Sequence, residues 1–575
     1  MESRHERIEK LRGIETPDVL IIGAGINGIG VYNDLVRQGV KTVLIERADY
    51  SCGASAASSH MVHGGVRYLE NGEFRLVHEA VQERERLIRN APHLVKPLPT
   101  TFPIFKTFSG ILNAPLKFLG LLDRPSERGA LVIKIGLLLY DLFAGRRQTT
   151  PKHIFRGHEK TLQVFPAMNP AVKYTATYYD GSMPSPERLA FEVLQDAEQL
   201  NSGSVALNYM SINAAANAEI TLKDELSGEL FNIRPSVVVN AGGPWIDYVN
   251  QVLGVESAYI GGTKGSHLVL DYPELRQAIG DNEIFFENKD GRIVLIFPLM
   301  NRVLLGTSDL RIDHPDDAVV TPAEVEYFSE MVLRIFPEFK VKPEHIVFTF
   351  SGVRPLPRSD ANSTGQISRD HSTEAIEGTQ QRPYPILSLI GGKWTTFRAF
   401  AEQVSDNILE RLERKRKVNT EELPIGGGKG YPTTAGDRKQ LLAAWQEAYE
   451  ITPERAETLL ERYGARAPEV LAAMDENGKQ PLSGYPDFTV GEIEYMLHYE
   501  DVVHLDDLLF RRTLIGMLGY TTPAILAELA DVAAKGLGWS PEQKEREIKH
   551  VQDLLVKNHR MDFNQFLDGD KVNLG

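Results

Sequence analysis

The sequence predicts a mixed α/β protein: a nucleotide-binding βαβ unit near the start, further strands and helices through the middle, and an α-helical domain at the end. Three observations carry this. An apolar run, Asp18 to Ile22, enters a glycine cluster and a helix-like segment, and a second β-branched run, Lys41 to Glu46, ends in an acid. Strand-like runs at Ser236 to Val239, Arg292 to Phe297 and Arg302 to Gly306 alternate with amphipathic segments such as Pro186 to Leu200. From Asp437 onward the apolar spacing is helical: Leu441, Leu442, Trp445 and Tyr449 fall on one face, and similar spacing recurs around Leu526 and Leu529.

Within the βαβ unit the glycines stand as Gly23-Ala24-Gly25-Ile26-Asn27-Gly28, with Gly30 beyond. This G-x-G-x-x-G spacing directly after a strand permits a tight turn, lets backbone approach a pyrophosphate, and lets the helix pack on the strand with its N-terminus toward the phosphates. Glu46, 23 residues after Gly23, ends the second strand. A carboxylate there accepts hydrogen bonds from ribose hydroxyls and disfavours a 2′-phosphate. A dinucleotide is therefore expected, and the fingerprint alone leaves NAD and FAD both open. Ser51 to Gly65 follows, a stretch of small hydroxyl residues and glycines that includes Ser58, Ser59, His63 and Gly64. It suits backbone laid against a large planar cofactor; a flexible polar loop is the alternative.

Composition bounds the rest. A chain of 575 residues exceeds one ordinary domain. A formal charge of −15 gives a nucleic-acid partner no global support, although a local basic pocket would still attract a small anion. One cysteine, Cys52, excludes an intramolecular disulfide and a cysteine-based metal cluster, and it fits a reducing compartment; no metal site is expected. Met1 to Pro17 is charged and lacks an apolar stretch of signal-peptide length, so a cytoplasmic location is expected. Leu131 to Ala144 is apolar but broken by Lys134 and Asp141, and falls short of the ~20 residues that span a bilayer. Dense charge at Arg414 to Thr420, followed by Gly426-Gly427-Gly428, suggests a division into 18–414 and 430–575.

The segment His63-Gly64-Gly65-Val66-Arg67-Tyr68-Leu69-Glu70 closely resembles a signature of the FAD-linked glycerol-3-phosphate dehydrogenases. Lys264-Gly265-Ser266-His267, Gly306-Thr307-Ser308-Asp309, Ser351 to Leu356 and Gly391-Gly392-Lys393-Trp394-Thr395-Thr396 resemble the family's later motifs in the same order. Departures are local: Ala24 stands where the family often has a glycine, Phe397 where a tyrosine is usual, and 105–130 resembles an insertion. The resemblance implies a Rossmann-type FAD-binding domain built from discontinuous segments, an antiparallel-sheet substrate domain over the flavin, and the helical C-terminal domain. It implies FAD as cofactor, with Gly242, Gly243, Gly392 and Thr395 joining Gly23, Gly25, Gly28, Glu46, Ser58, Ser59, His63 and Gly64 around it. Trp245 reads equally as a cofactor neighbour or a core aromatic.

The implied substrate is glycerol 3-phosphate. Its dianion needs several cationic donors, and Arg67, Arg354, Arg369 and Lys393 all lie in turns containing glycine, proline or serine. Tyr68 and Thr307 are further substrate candidates; Tyr68 either bonds the substrate or packs beside the flavin. His267, at the start of an apolar run, is the candidate general base, and Arg354 a candidate stabiliser of the developing alkoxide. The alternatives are an oxidase using oxygen, a dehydrogenase of another polyol phosphate, and an inactive flavin-binding interaction protein. By resemblance the electron acceptor is a quinone, and a homodimer stays open. Two apolar clusters, Phe108 to Leu122 and Leu137 to Leu139 with Phe143, are flanked by Lys117, Arg124, Arg128, Lys134, Arg146 and Arg147. They suggest peripheral contact with the inner face of the cell membrane, a core or dimer contact being the other reading.

Overall fold

Val19–Ile22, Thr42–Ile45 and Val237–Asn240 are short runs, apolar or β-branched except for Asn240, and each is buried on both faces as a central parallel strand must be. The structure, a computed structural model, describes residues 3–66, 73–106, 130–145, 148–200, 203–288, 293–358, 370–475 and 477–561. Among these residues the first sheet has six strands, in the order Ser372–Ile376, Ile386–Ile390, Val237–Asn240, Val19–Ile22, Thr42–Ile45 and Val205–Leu207. All neighbours run parallel except Ser372–Ile376, which lies antiparallel at the edge. Its strands come from widely separated parts of the chain, so the sheet is discontinuous in sequence. Helix Ile26–Arg37 leaves the glycine turn and packs between Pro186–Glu198 and Phe397–Arg411.

The second sheet is mostly antiparallel and holds ten strands among the described residues. Thr263–Leu270 lies between Arg302–Gly306 and Ile346–Arg354, so the motifs at 264–267, 306–309 and 351–356 meet on three adjacent strands. Sequence separation of the motifs disappears here.

The helices after 430 start where the sequence places cap residues. Thr452-Pro453, Thr522-Pro523 and Ser540-Pro541 each put a hydroxyl on a free helical N–H with proline in the first turn. Trp445, Leu459, Leu526, Leu529 and Leu555 share one core with Leu268, Phe348 and other residues of the second sheet. The glycine run at 426–428 is a packed crossing: Gly426 N–H donates to Asp196 and Gly427 N–H to Glu192, both on Pro186–Glu198.

Helix Ala130–Ala144 corrects one sequence expectation. Leu137 is fully buried, and Leu139 and Phe143 pack on the same core as Tyr140 and Ala144. The outward stripe is Leu131, Ile135, Leu138 and Leu142, 47, 52, 54 and 70% exposed. Helical periodicity sends alternate members of one apolar run to opposite faces, which a cluster read along the sequence does not separate. The other cluster, Phe108 to Leu122, lies outside the described residues.

Candidate active site

A cavity of about 1270 Å³ runs between the two sheets, larger than the ~300–1,000 Å³ of most small-molecule sites. Gly23, Gly25, Glu46, Ser211, Gly242 and Gly243 line it, as do His267, Thr307, Arg354, Gly392 and Lys393. Its residues fit a dinucleotide. Gly23 has φ +102°, a conformation that side chains disfavour, and a Cβ at Gly28 would stand 1.9 Å from the Gly23 carbonyl oxygen. Gly28 does not line the cavity; it lets the helix seat on the turn that does. Glu46 accepts from Ala24 N–H at 2.8 Å and Ala48 N–H at 3.2 Å, so the acid fixes the glycine turn itself. Burial raises its pKa above the ordinary carboxylate value, against those two hydrogen bonds.

At the other end, side chains alternate along Thr263–Leu270. Gly265 and His267 line the cavity, while Lys264 pairs with Glu324 at 2.7 Å behind it. His267 is buried and stacks on Phe350, with ring centroids 4.7 Å apart. Its neighbour across the strands is Gly306, where a Cβ would fall 2.2 Å from the imidazole. His267 Nε2 shares a hydrogen bond of 2.9 Å with Ser59 Oγ, and Nδ1 has no hydrogen-bond partner among the described residues. Burial, then the Arg354 charge, then His60 hold the His267 pKa well below its usual value, so the ring is neutral.

Arg354 lies over Gly265 and donates to Thr307 Oγ1 at 2.9 Å, Ser308 O at 3.1 Å and Asp309 at 3.2 Å. Thr307 in turn donates to the Ser308 carbonyl, so its hydroxyl orients Arg354. Lys393 enters the cavity at the start of the turn Trp394–Thr396.

Several cofactor candidates that line the cavity, Ser58, Ser59, His63 and Thr395, also bond neighbouring protein groups. Ser59 serves His267, and Ser58 Oγ accepts from His60 N–H at 3.3 Å. Thr395 Oγ1 bonds both the N–H and the C=O of His63, each at 3.0 Å, locking two distant motifs together. Gly64 N–H donates to Tyr140 and Asp180 and does not line the cavity, whereas His63 and Gly65 do. Trp245 is at the cavity rim, its Nε1 donating to Asp316 and Arg47 stacking over its ring at 4.5 Å. Arg67, Tyr68 and Arg369 lie outside the described residues.

Sequence reading missed Tyr178 and Asp180, which line the cavity from the strand Tyr174–Ser182. The available signal was an acid inside a buried aromatic strand. It also missed Ser55, whose Oγ accepts from Ile26 N–H at 2.9 Å and ties the serine-rich loop to the helix start.

Residues 18–397 match the sequence model of the FAD dependent oxidoreductase family, and residues 418–544 that of the C-terminal domain of alpha-glycerophosphate oxidase. A glycerol-3-phosphate dehydrogenase of Synechocystis is 32% identical, over 94% of this chain and 96% of its own. D-erythritol 1-phosphate dehydrogenase of Brucella abortus is 30% identical, over 87% and 94%. The crystal structure of the glycerol-3-phosphate dehydrogenase from Bacillus halodurans, complexed with FAD, superposes with a TM-score of 0.73 at 22% identity, over 97% of this chain and 98% of that one.

Proposed function

The chain belongs to the FAD-dependent oxidoreductase family that includes the flavin-linked glycerol-3-phosphate dehydrogenases, and from that premise we propose that it oxidises sn-glycerol 3-phosphate to dihydroxyacetone phosphate. The observation that carries the reading is one cavity holding a dinucleotide turn at one end and a neutral buried histidine with Arg354 and Lys393 at the other. When bound, FAD supplies the acceptor for the hydride that leaves C2.

His267 takes the hydroxyl proton, since a neutral imidazole has the free lone pair that a base requires. Ser59 at Nε2 fixes the ring orientation. Lys393, with Arg67 and Arg369, binds the phosphate and so holds C2 by the unreactive end of the substrate. Arg354, already braced by Thr307, Ser308 and Asp309, stabilises negative charge growing on the C2 oxygen. A cation fixed beforehand needs no reorganisation at the moment of reaction. We propose a domain division into 18–414 and 430–575.

The acceptor we assign is a quinone, with the protein on the cytoplasmic face of the membrane. Among the described residues no helix is long and apolar enough to cross a membrane. The stripe Leu131, Ile135, Leu138 and Leu142 supports surface attachment, with exposed Lys134 beside it for anionic headgroups. The oxidase reading is favoured by the match at 418–544. Substrate-reduced enzyme, mixed anaerobically with a soluble quinone or separately with oxygen, tests the assignment. Faster reoxidation by quinone is expected; faster reoxidation by oxygen, with peroxide formed, identifies the oxidase.

A further inference from the structure

Ala24, between the two glycines of the turn, has both of its peptide groups held by one loop. Its N–H donates to Glu46 at 2.8 Å, and its C=O accepts from Ser51 N–H at 2.9 Å. Midway between these partners is Asp49, fully buried, whose carboxylate points away from the cavity into the helical C-terminal domain. Arg512 grips it with two parallel bonds, Nη1 to Oδ2 at 2.8 Å and Nη2 to Oδ1 at 2.9 Å, and Arg511 Nε adds a third. Asn208 Nδ2 completes the set at 3.0 Å.

The same C-terminal segment also holds the stretch of wall beside this loop, where Met210 N–H donates to Glu46 O at 2.7 Å. Arg511 also pairs with Asp506 and Asp507, and Asp507 accepts from the Tyr209 hydroxyl at 2.7 Å. Tyr209 N–H donates to Ala48 O, and the next residues, Met210, Ser211 and Ile212, line the cavity. Loop 46–53 and the start of Met210–Ala216 therefore meet at one buried charge cluster supplied from 505–512.

Buried ion pairs of this kind add little stability over apolar packing, yet a bidentate guanidinium–carboxylate pair fixes orientation. We propose that Arg511 and Arg512 are positioning residues for the cofactor: through Asp49 they set the loop that carries Glu46 and clasps the glycine turn, so the C-terminal domain governs how tightly FAD is held. The inference rests on FAD as the cofactor. It gives the helical domain a task at the nucleotide end of the site, although none of its described residues beyond 430 lines the cavity.

The test compares full-length Arg512→Lys, which keeps the charge but loses the fork, and the isosteric Asp49→Asn with a control, Arg302→Met. Arg302 joins the second sheet to the C-terminal domain through Leu518 O at 3.0 Å and pairs with Asp271, outside the charge cluster on Asp49. The readouts are the FAD dissociation rate and the rise in melting temperature that FAD gives the apoprotein. Arg512→Lys and Asp49→Asn should release FAD about tenfold faster or more and show a smaller FAD-dependent rise. Arg302→Met should lower the melting temperature while releasing FAD at the wild-type rate. Folded variants of Arg512 and Asp49 with wild-type release overturn the proposal, as does equal acceleration by Arg302→Met, which would make the effect one of general loosening. Should Asp49→Asn fail to fold, Arg512→Lys and Arg511→Lys carry the same comparison. A wild-type chain that binds no FAD would instead remove the premise.

Discussion

Replacing Arg354 with methionine keeps the aliphatic length of the side chain over Gly265 while removing the charge. In the structure three acceptors, Thr307, Ser308 O and Asp309, brace the guanidinium within 3.2 Å, so its position is set before substrate arrives. If Arg354 makes one further charge-assisted contact to the C2 oxygen as charge develops, that contact is worth about 1.5–3 kcal/mol, or roughly 10- to 150-fold in kcat/KM. Most of the loss should fall on the rate of flavin reduction at saturating substrate, because the contact strengthens in the transition state. The assay is rapid-mixing anaerobic reduction of the enzyme-bound flavin, with FAD content measured on the same sample. The variant should retain FAD, since the bonds that brace Arg354 come from Thr307, Ser308 O and Asp309 and not from the glycine turn. Full FAD content with kcat/KM within about twofold of wild type would refute the role.

Other consequences follow from the same geometry. Gly28→Ala places a methyl group 1.9 Å from Gly23 O, an overpacking of about 1–3 kcal/mol or more, and should abolish FAD retention in a folded protein; wild-type FAD affinity by fluorescence titration would contradict it. Because the folded His267 pKa lies below the ordinary histidine value, the base form persists as pH falls, and flavin reduction at saturating substrate should lose rate only below about pH 6.5. An acid limb centred higher would exclude His267 in its described environment. Leu138→Glu with Leu142→Glu should prevent flotation with anionic phospholipid vesicles while FAD content is unchanged; equal flotation of both proteins would show that this stripe is not the attachment surface.

The nucleotide end was legible in the sequence because its information is local. Strand, Gly23, Gly25, Gly28, helix and Glu46 are fixed by spacing within one βαβ unit, whereas the bond from Ala24 N–H to Glu46 is seen only in the structure. The end of the cavity that holds His267 was legible only as motifs. That His267 faces the cavity and Lys264 does not follows from strand alternation, but that Gly306 makes room for the imidazole depends on pairing between residues 39 positions apart. The roles of Ser59, Thr307 and Thr395 illustrate a second limit: hydroxyl residues in a cofactor-like motif serve neighbouring side chains and backbone as readily as a ligand. Asp49 had no sequence signal, since its arginine partners lie more than 460 residues away.

The measurement that bears most directly on the account is anaerobic bleaching of the bound flavin by sn-glycerol 3-phosphate, compared with D-erythritol 1-phosphate and unphosphorylated glycerol, with the product identified. Full bleaching at a stoichiometry of one glycerol 3-phosphate per flavin, release of dihydroxyacetone phosphate, and little reaction with glycerol are expected from a phosphate-anchored hydride transfer. Bleaching by the erythritol phosphate with glycerol 3-phosphate inert would assign the site to another polyol phosphate. Flavin unreduced by any of them would contradict the enzymatic reading.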